Sequence, residues 1–213
     1  TGPITSELSR WIIVPLLTIF FAGELVWRER EAGLDEIADA SPVPEWVPLL
    51  GKLLGLVLLL TVFLALQMVA GIATQLIMGH HDFDVGLYVA ALFGLQLIEY
   101  VLFAVLALAV HVLVGQKYVG HIVAILVYLM ILLAPMFGIE HNLLTYGAGP
   151  WVVFTDMRGL GPFIQPWLAY KLYWGAWALL LAVAARLLWV RGRESSLRVR
   201  MALPRRRLCG ATA

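Results

Sequence analysis

From Val47 to Met78 the chain carries one charged side chain, Lys52. A helix over that stretch, rising roughly 1.5 Å per residue, is longer than the roughly 30 Å hydrocarbon core of a bilayer. It must therefore tilt, bend or protrude. Three more apolar runs follow, Leu87–Val114, Val119–Phe137 and Trp167–Val190, and a shorter one precedes it, from Ser9 or Trp11 to Val26. Hydrophobic residues make up 62% of the chain and charged ones 14%. Mean hydropathy is +0.88. These values exclude a soluble domain. The runs are too continuous for the alternating strands of a barrel. The expected fold is all-α: a polytopic membrane protein with about five transmembrane helices, forming one transmembrane domain over residues 1–213.

The polar segment Gly23–Trp46 interrupts the first two runs. It holds seven of the fourteen carboxylates, Glu24, Glu29, Glu31, Asp35, Glu36, Asp39 and Glu45, together with Arg28 and Arg30. Backbone outside helices or closed barrels is not stable in lipid, so this segment is expected as a loop beyond the hydrocarbon. Leu34, Ile37 and Ala38 recur at helical spacing between Asp35, Glu36 and Asp39, which predicts a short amphipathic helix at the membrane face. Pro42 and Pro44 end it. Trp27 and Trp46 bracket the segment as interfacial tryptophans do.

Five crossings alternate sides. With Gly23–Trp46 in the cytoplasm, twelve of the fifteen Lys and Arg residues fall inside or near it: Arg28, Arg30, Lys52, Lys117, Arg186 and the seven tail arginines of 191–213. Arg10, Arg158 and Lys171 fall outside. This bias sets the expected topology. The N-terminus, Gly79–Asp84 and the connection Gly138–Gln165 face outward. The acidic segment, the turn at Lys117 and the basic tail 191–213 face inward. Lys52 lies in the first turns of its helix, where it can snorkel to the interface. The single cysteine, Cys209, excludes a disulfide within the chain. No basic leader with a cleavage site precedes the first run, so no signal peptide is expected.

Three groups are candidates for chemistry. His80, His81, Asp82 and Asp84, with Glu140 and His141 on the same side, have side chains that ligate transition metals. They lack any metal-binding spacing, and helix ends collect polar caps regardless, so no metal site is assigned. Glu99 lies inside an apolar run, where a carboxylate is costly and marks a function or a buried partner. Gln96, three residues earlier, shares its face. Both are candidates for a substrate path. His111 and His121 flank the Lys117 turn and are placed to face each other. Interfacial histidines are more often structural hydrogen-bonding groups than ligands of a cofactor such as haem, and no cofactor is expected. Gly51-Lys52 is not part of a phosphate-binding loop, and there is no serine-hydrolase elbow or zinc-protease helix. No catalytic residue is assigned, and the chain is not expected to be an enzyme.

The stretch GELVWRERE…DEIADASPVPEWVPLLGK resembles permeases of type-2 (ABC-2) ABC transporters, in particular bacterial ones whose polypeptides sometimes also carry a zinc aminopeptidase module. The resemblance continues through GLY (86–88), QKYVGH (116–121), EHNL (140–143), YG (146–147), TDM (155–157), KLYW (171–174) and VRGRE (190–194). Each motif alone is weak, and their order is what is specific. Arg158 and Leu160 depart from the asparagine and aromatic residue expected after TDM. Residues 204–213 depart from the family pattern altogether.

The resemblance implies a half-transporter of six helices, with the first preceding Thr1. It implies a cytoplasmic coupling helix at Gly23–Trp46 that docks on a separate ABC ATPase subunit, through Arg28, Glu29, Arg30, Glu31, Asp35, Glu36 and Asp39. It also implies a re-entrant outer segment at Gly138–Gln165. The other implied partner is a second permease half or a second copy, in a bacterial inner membrane; no nucleic acid is implied. The ATPase would drive alternating access past Glu99 and Gln96. Two other readings remain at this point: a membrane anchor for a peptidase, and an intramembrane metalloenzyme.

Overall fold

The computed structural model describes residues 12–34, 43–44, 46–79, 84–150, 152 and 161–189. Asp35, Glu36 and Asp39, with the short helix expected there, lie outside the described residues. So do Glu45, His80, His81, Asp82, Arg158 and the basic tail.

Among the described residues, five helices alternate in direction: α1 (Val14–Glu31), α2 (Trp46–Ile77), α3 (Val85–Val114), α4 (Lys117–Leu133) and α5 (Gly161–Leu188). No strand occurs among the described residues. Four of the five, α2 to α5, are long and apolar enough to cross a membrane. The chain is a polytopic helical membrane protein.

Two expected boundaries change. The first helix does not stop at Val26. It continues through the charged residues to Glu31, where the Ala32 and Gly33 amides bond back to the Arg28 and Arg30 carbonyls. Gly23–Glu31 is thus helix rather than loop. The charges gathered on these turns keep α1 from having the uniformly apolar length of the other four. The last helix begins at Gly161 rather than Trp167 and carries Pro166 in its first turns. As the sixth residue of the helix it lies beyond the four unpartnered amides, so it gives up one backbone bond to the carbonyl four residues earlier.

The α3–α4 turn is short for a physical reason. Gly115 adopts φ 73°, a left-handed conformation that closes the end of α3. Gln116 is extended, and α4 starts at Lys117. The Ala134–Phe137 turn tightens the far end of α4, and Gly138 (φ 76°) ends it in the same way.

The core lies between α1, α3 and α4. Its buried residues include Ile19 and Ala22 of α1, Ala104, Ala107 and Leu108 of α3, and Ala124 of α4. Small side chains recur there because lipid supplies no hydrophobic force between helices, so close approach and dispersion must hold them. The helix α2 is peripheral. It buries only Lys52, Leu56, Leu60 and Leu64, a single stripe at four-residue spacing. Its opposite face, with Leu58, Leu66 and Val69, is exposed.

Candidate functional site

The helix ends divide into two polar zones. At one end lie the C-termini of α1, α3 and α5 and the N-termini of α2 and α4. We call this the charged end. The other is the cavity end.

At the charged end, lysines from two neighbouring helices reach the last turns of α1. Lys52 of α2 lies 2.7 Å from Glu29 Oε1, with its side chain 8% exposed. Its ammonium also sits 5.8 Å from the ring centre of Trp189, just beyond α5. Lys117, at the start of α4, bridges Glu24 at 2.7 Å and Glu31 at 2.8 Å. The Arg30 guanidinium lies 5.1 Å over the Trp27 ring. Arg28 is exposed. Lys52 was expected to reach the interface from the first turns of its helix; at that end of the bundle its side chain is buried between a carboxylate and an indole. Glu24 and both lysines were not among the expected site residues. The signal was available: α1 and the helices that follow it carry opposite charges at matching ends.

One turn deeper, His111 of α3 and His121 of α4 face each other as expected. Their ring centres are 4.9 Å apart and their planes nearly perpendicular. Each Nδ1 donates to the carbonyl four residues earlier, Ala107 at 2.9 Å and Lys117 at 2.8 Å. A carbonyl only accepts, so Nδ1 carries a proton in each ring. His111 is fully buried, and its Nε2 has no hydrogen-bond partner among the described residues. Both rings pack onto Gly23 of α1. Among the described residues, no three His, Cys, Asp or Glu side chains gather as metal ligands would. Asp84 instead caps α3, accepting from the Leu87 amide at 3.0 Å.

At the cavity end, a pocket of about 820 Å³ opens between the first half of α3, the last half of α4 and the connection that follows. The α3 backbone there is irregular. Ala90–Gln96 forms a π-helical segment, with the Leu97 amide bonding to Leu92. The wider turn resets the register, so that Leu87 before it and Ala91 near its start share the pocket wall with Gln96 at its end and Glu99 beyond it. Sequence reasoning put Gln96 and Glu99 on one face, and both line the pocket. Gln96 also donates to the Tyr100 hydroxyl.

Glu99 has a partner that the sequence reading did not name. Lys171 of α5 lies 3.2 Å away, with its side chain 3% exposed against 31% for Glu99. Its ammonium also donates to the Gly147 carbonyl and lies 5.6 Å over the Trp167 ring. An isolated buried ammonium is too costly to keep, and this one is met on three sides. Nearby, Tyr146 donates to the Leu102 carbonyl at 3.0 Å and stacks edge-on with Trp174. Burial raises the pKa of this tyrosine, so its hydroxyl stays a donor. These bonds tie the connection after α4 to α3 and α5.

No curated protein and no solved structure matches the chain. Residues 4–132 match the family described as ABC-2 family transporter protein. The matched stretch contains α1, α2, α3 and nearly all of α4, hence the whole set of lysine bridges at the charged end. It stops short of Lys171. It covers more than half of the 213 residues, and with the apolar helices it establishes that the chain belongs to the ABC-2 transporter family and is a multi-pass membrane permease.

Proposed function

We propose that the chain is the membrane-spanning half of a bacterial inner-membrane exporter or importer, driven through alternating access by a separate ABC ATPase and working opposite a second permease half or copy. The charged end faces the cytoplasm in this reading, in keeping with the distribution of Lys and Arg. The observation that carries the coupling role is the pair of lysine bridges, Lys52–Glu29 and Lys117–Glu24/Glu31. Through them, a load on the segment following α1 is passed to α2 and α4 as well as along α1. Arg28, with Asp35, Glu36 and Asp39, then supplies the docking charges. Glu29 and Glu31 link docking to the bundle, and Arg30 steadies Trp27. The pocket lined by Gln96 and Glu99 is part of the substrate path.

The test is co-purification of the ATPase with the full-length permease, followed by ATP-dependent transport. Arg28→Glu combined with charge reversal at Asp35, Glu36 and Asp39 is expected to lose the ATPase while membrane insertion is kept. Lys117→Met is expected to keep the ATPase bound and lose transport. Unchanged co-purification and unchanged transport in the first variant would reject the docking role.

A further inference from the structure

The pocket at the cavity end has a one-sided charge. Among the described residues, its lining includes two carboxylates, Glu99 and Glu140, and no lysine or arginine. The nearest ammonium, Lys171, sits behind the wall, committed to Glu99, the Gly147 carbonyl and the Trp167 ring. Glu99 still exposes nearly a third of its side chain, and Glu140 is exposed. The remaining wall is largely apolar, with Leu95, Ile131 and Pro135, and it carries three aromatic rings, Tyr128, Tyr146 and Trp167.

Each feature selects the same kind of molecule. A carboxylate or phosphate would meet Glu140 and a Glu99 already paired with Lys171, with no cation among the described lining residues left to receive it. A cation is drawn to both carboxylates and to the negative faces of the rings. The apolar wall favours a hydrocarbon body over a strongly hydrated ion. The volume, about 820 Å³, suits a drug-sized molecule rather than a metal ion or a whole protein segment. We infer that the pocket binds a lipophilic organic cation, with its amine, quaternary ammonium or phosphonium head beside Glu99 and Glu140 and its apolar body against α3 and α4. This rests on the reading of the pocket as part of the substrate path.

The probe is tetraphenylphosphonium, with tetraphenylborate as an anion of the same shape. The full-length protein with its ATPase is placed in lipid nanodiscs, and empty nanodiscs are subtracted. Saturable tetraphenylphosphonium binding is expected, with little competition from tetraphenylborate. Glu140→Gln, at an exposed position where folding is not at stake, is expected to weaken binding by about tenfold. Leu95→Trp fills the pocket without changing charge and is expected to abolish saturable binding. Equal competition by the two ions, no saturable cation binding, or unchanged affinity in Glu140→Gln would overturn the cation assignment. The path reading is judged separately: transport that is undiminished in Leu95→Trp would remove the pocket from the substrate path, whatever ion it binds.

Discussion

Gly23→Ala is the sharpest test of the junction between α1, α3 and α4. The added methyl would lie 2.4 Å from His121 Cε1, 2.6 Å from His121 Nε2 and 2.8 Å from His111 Nε2. Ordinary carbon contacts are about 3.5–4.0 Å, so both rings must move. Neither moves cheaply. His111 is fully buried and bonded to Ala107, and His121 is bonded to Lys117. Overpacking of this kind costs about 1–3 kcal/mol. Alanine is a better helix former than glycine by up to about 1 kcal/mol, which offsets part of that. A net loss of about 1–2 kcal/mol is expected. The assay is thermal unfolding of the detergent-purified protein, read as the loss of the monodisperse peak after heating. Gly120→Ala, whose methyl would meet His111 Cδ2 at 2.9 Å, should cost less. Gly55→Ala, with nothing within 4 Å, should be neutral or stabilising. Adding His121→Ala to Gly23→Ala removes the ring in the way and should recover part of the loss. The reasoning is refuted if Gly23→Ala is as stable as Gly55→Ala, or if the double variant shows no recovery.

Two further predictions follow from packing and charge. Leu60→Ala, at a site 1% exposed, should destabilise by about 2–5 kcal/mol, whereas Leu58→Ala, 68% exposed on the other face of α2, should have little effect in the same thermal assay. Glu99→Ala strands the buried Lys171 ammonium and should cost about 3 kcal/mol. Adding Lys171→Met should restore much of it, and strictly additive losses in this cycle would show that the pair is not coupled.

The helices were legible in the sequence because apolar length is nearly the only signal a lipid-exposed span needs. The edges of α2 and α3 came within two residues of the expected limits. The end of α1 did not, since the loop was expected to start where polarity starts. Polarity marks where the hydrocarbon ends rather than where a helix ends, and α1 keeps its backbone bonds as far as Glu31. Gln96 and Glu99 were legible as a face because their spacing is local. Lys171 was not legible as their partner, because 72 residues separate it from Glu99 and neighbour choice between helices leaves no periodic trace. The π-helical segment at Ala90–Gln96 was invisible for a related reason. Its residues, AALFGLQ, suit an ordinary helix, and only packing selects the wider turn.

Neighbour choice in this bundle is therefore carried by few residues. Every helix offers lipid and protein much the same leucine-rich surface, so burial of apolar area cannot say which helix sits beside which. The ion pairs can: Glu29 to Lys52 joins α1 to α2, Glu24 and Glu31 to Lys117 join α1 to α4, and Glu99 to Lys171 joins α3 to α5. The remaining close junction, where α1 meets α3 and α4, rests on Gly23 and Gly120 under two histidine rings. The exposed pairs contribute little stability, since salt and water screen them. Their effect is on register, because a lysine held between particular carboxylates limits how far two greasy helices can slide. The helix α2 shows this most clearly. It buries one narrow stripe, and Lys52 is the polar group in that stripe. In the proposed coupling role, the lysine bridges at the charged end that help place α2 and α4 against α1 are also the contacts that carry a load into the bundle.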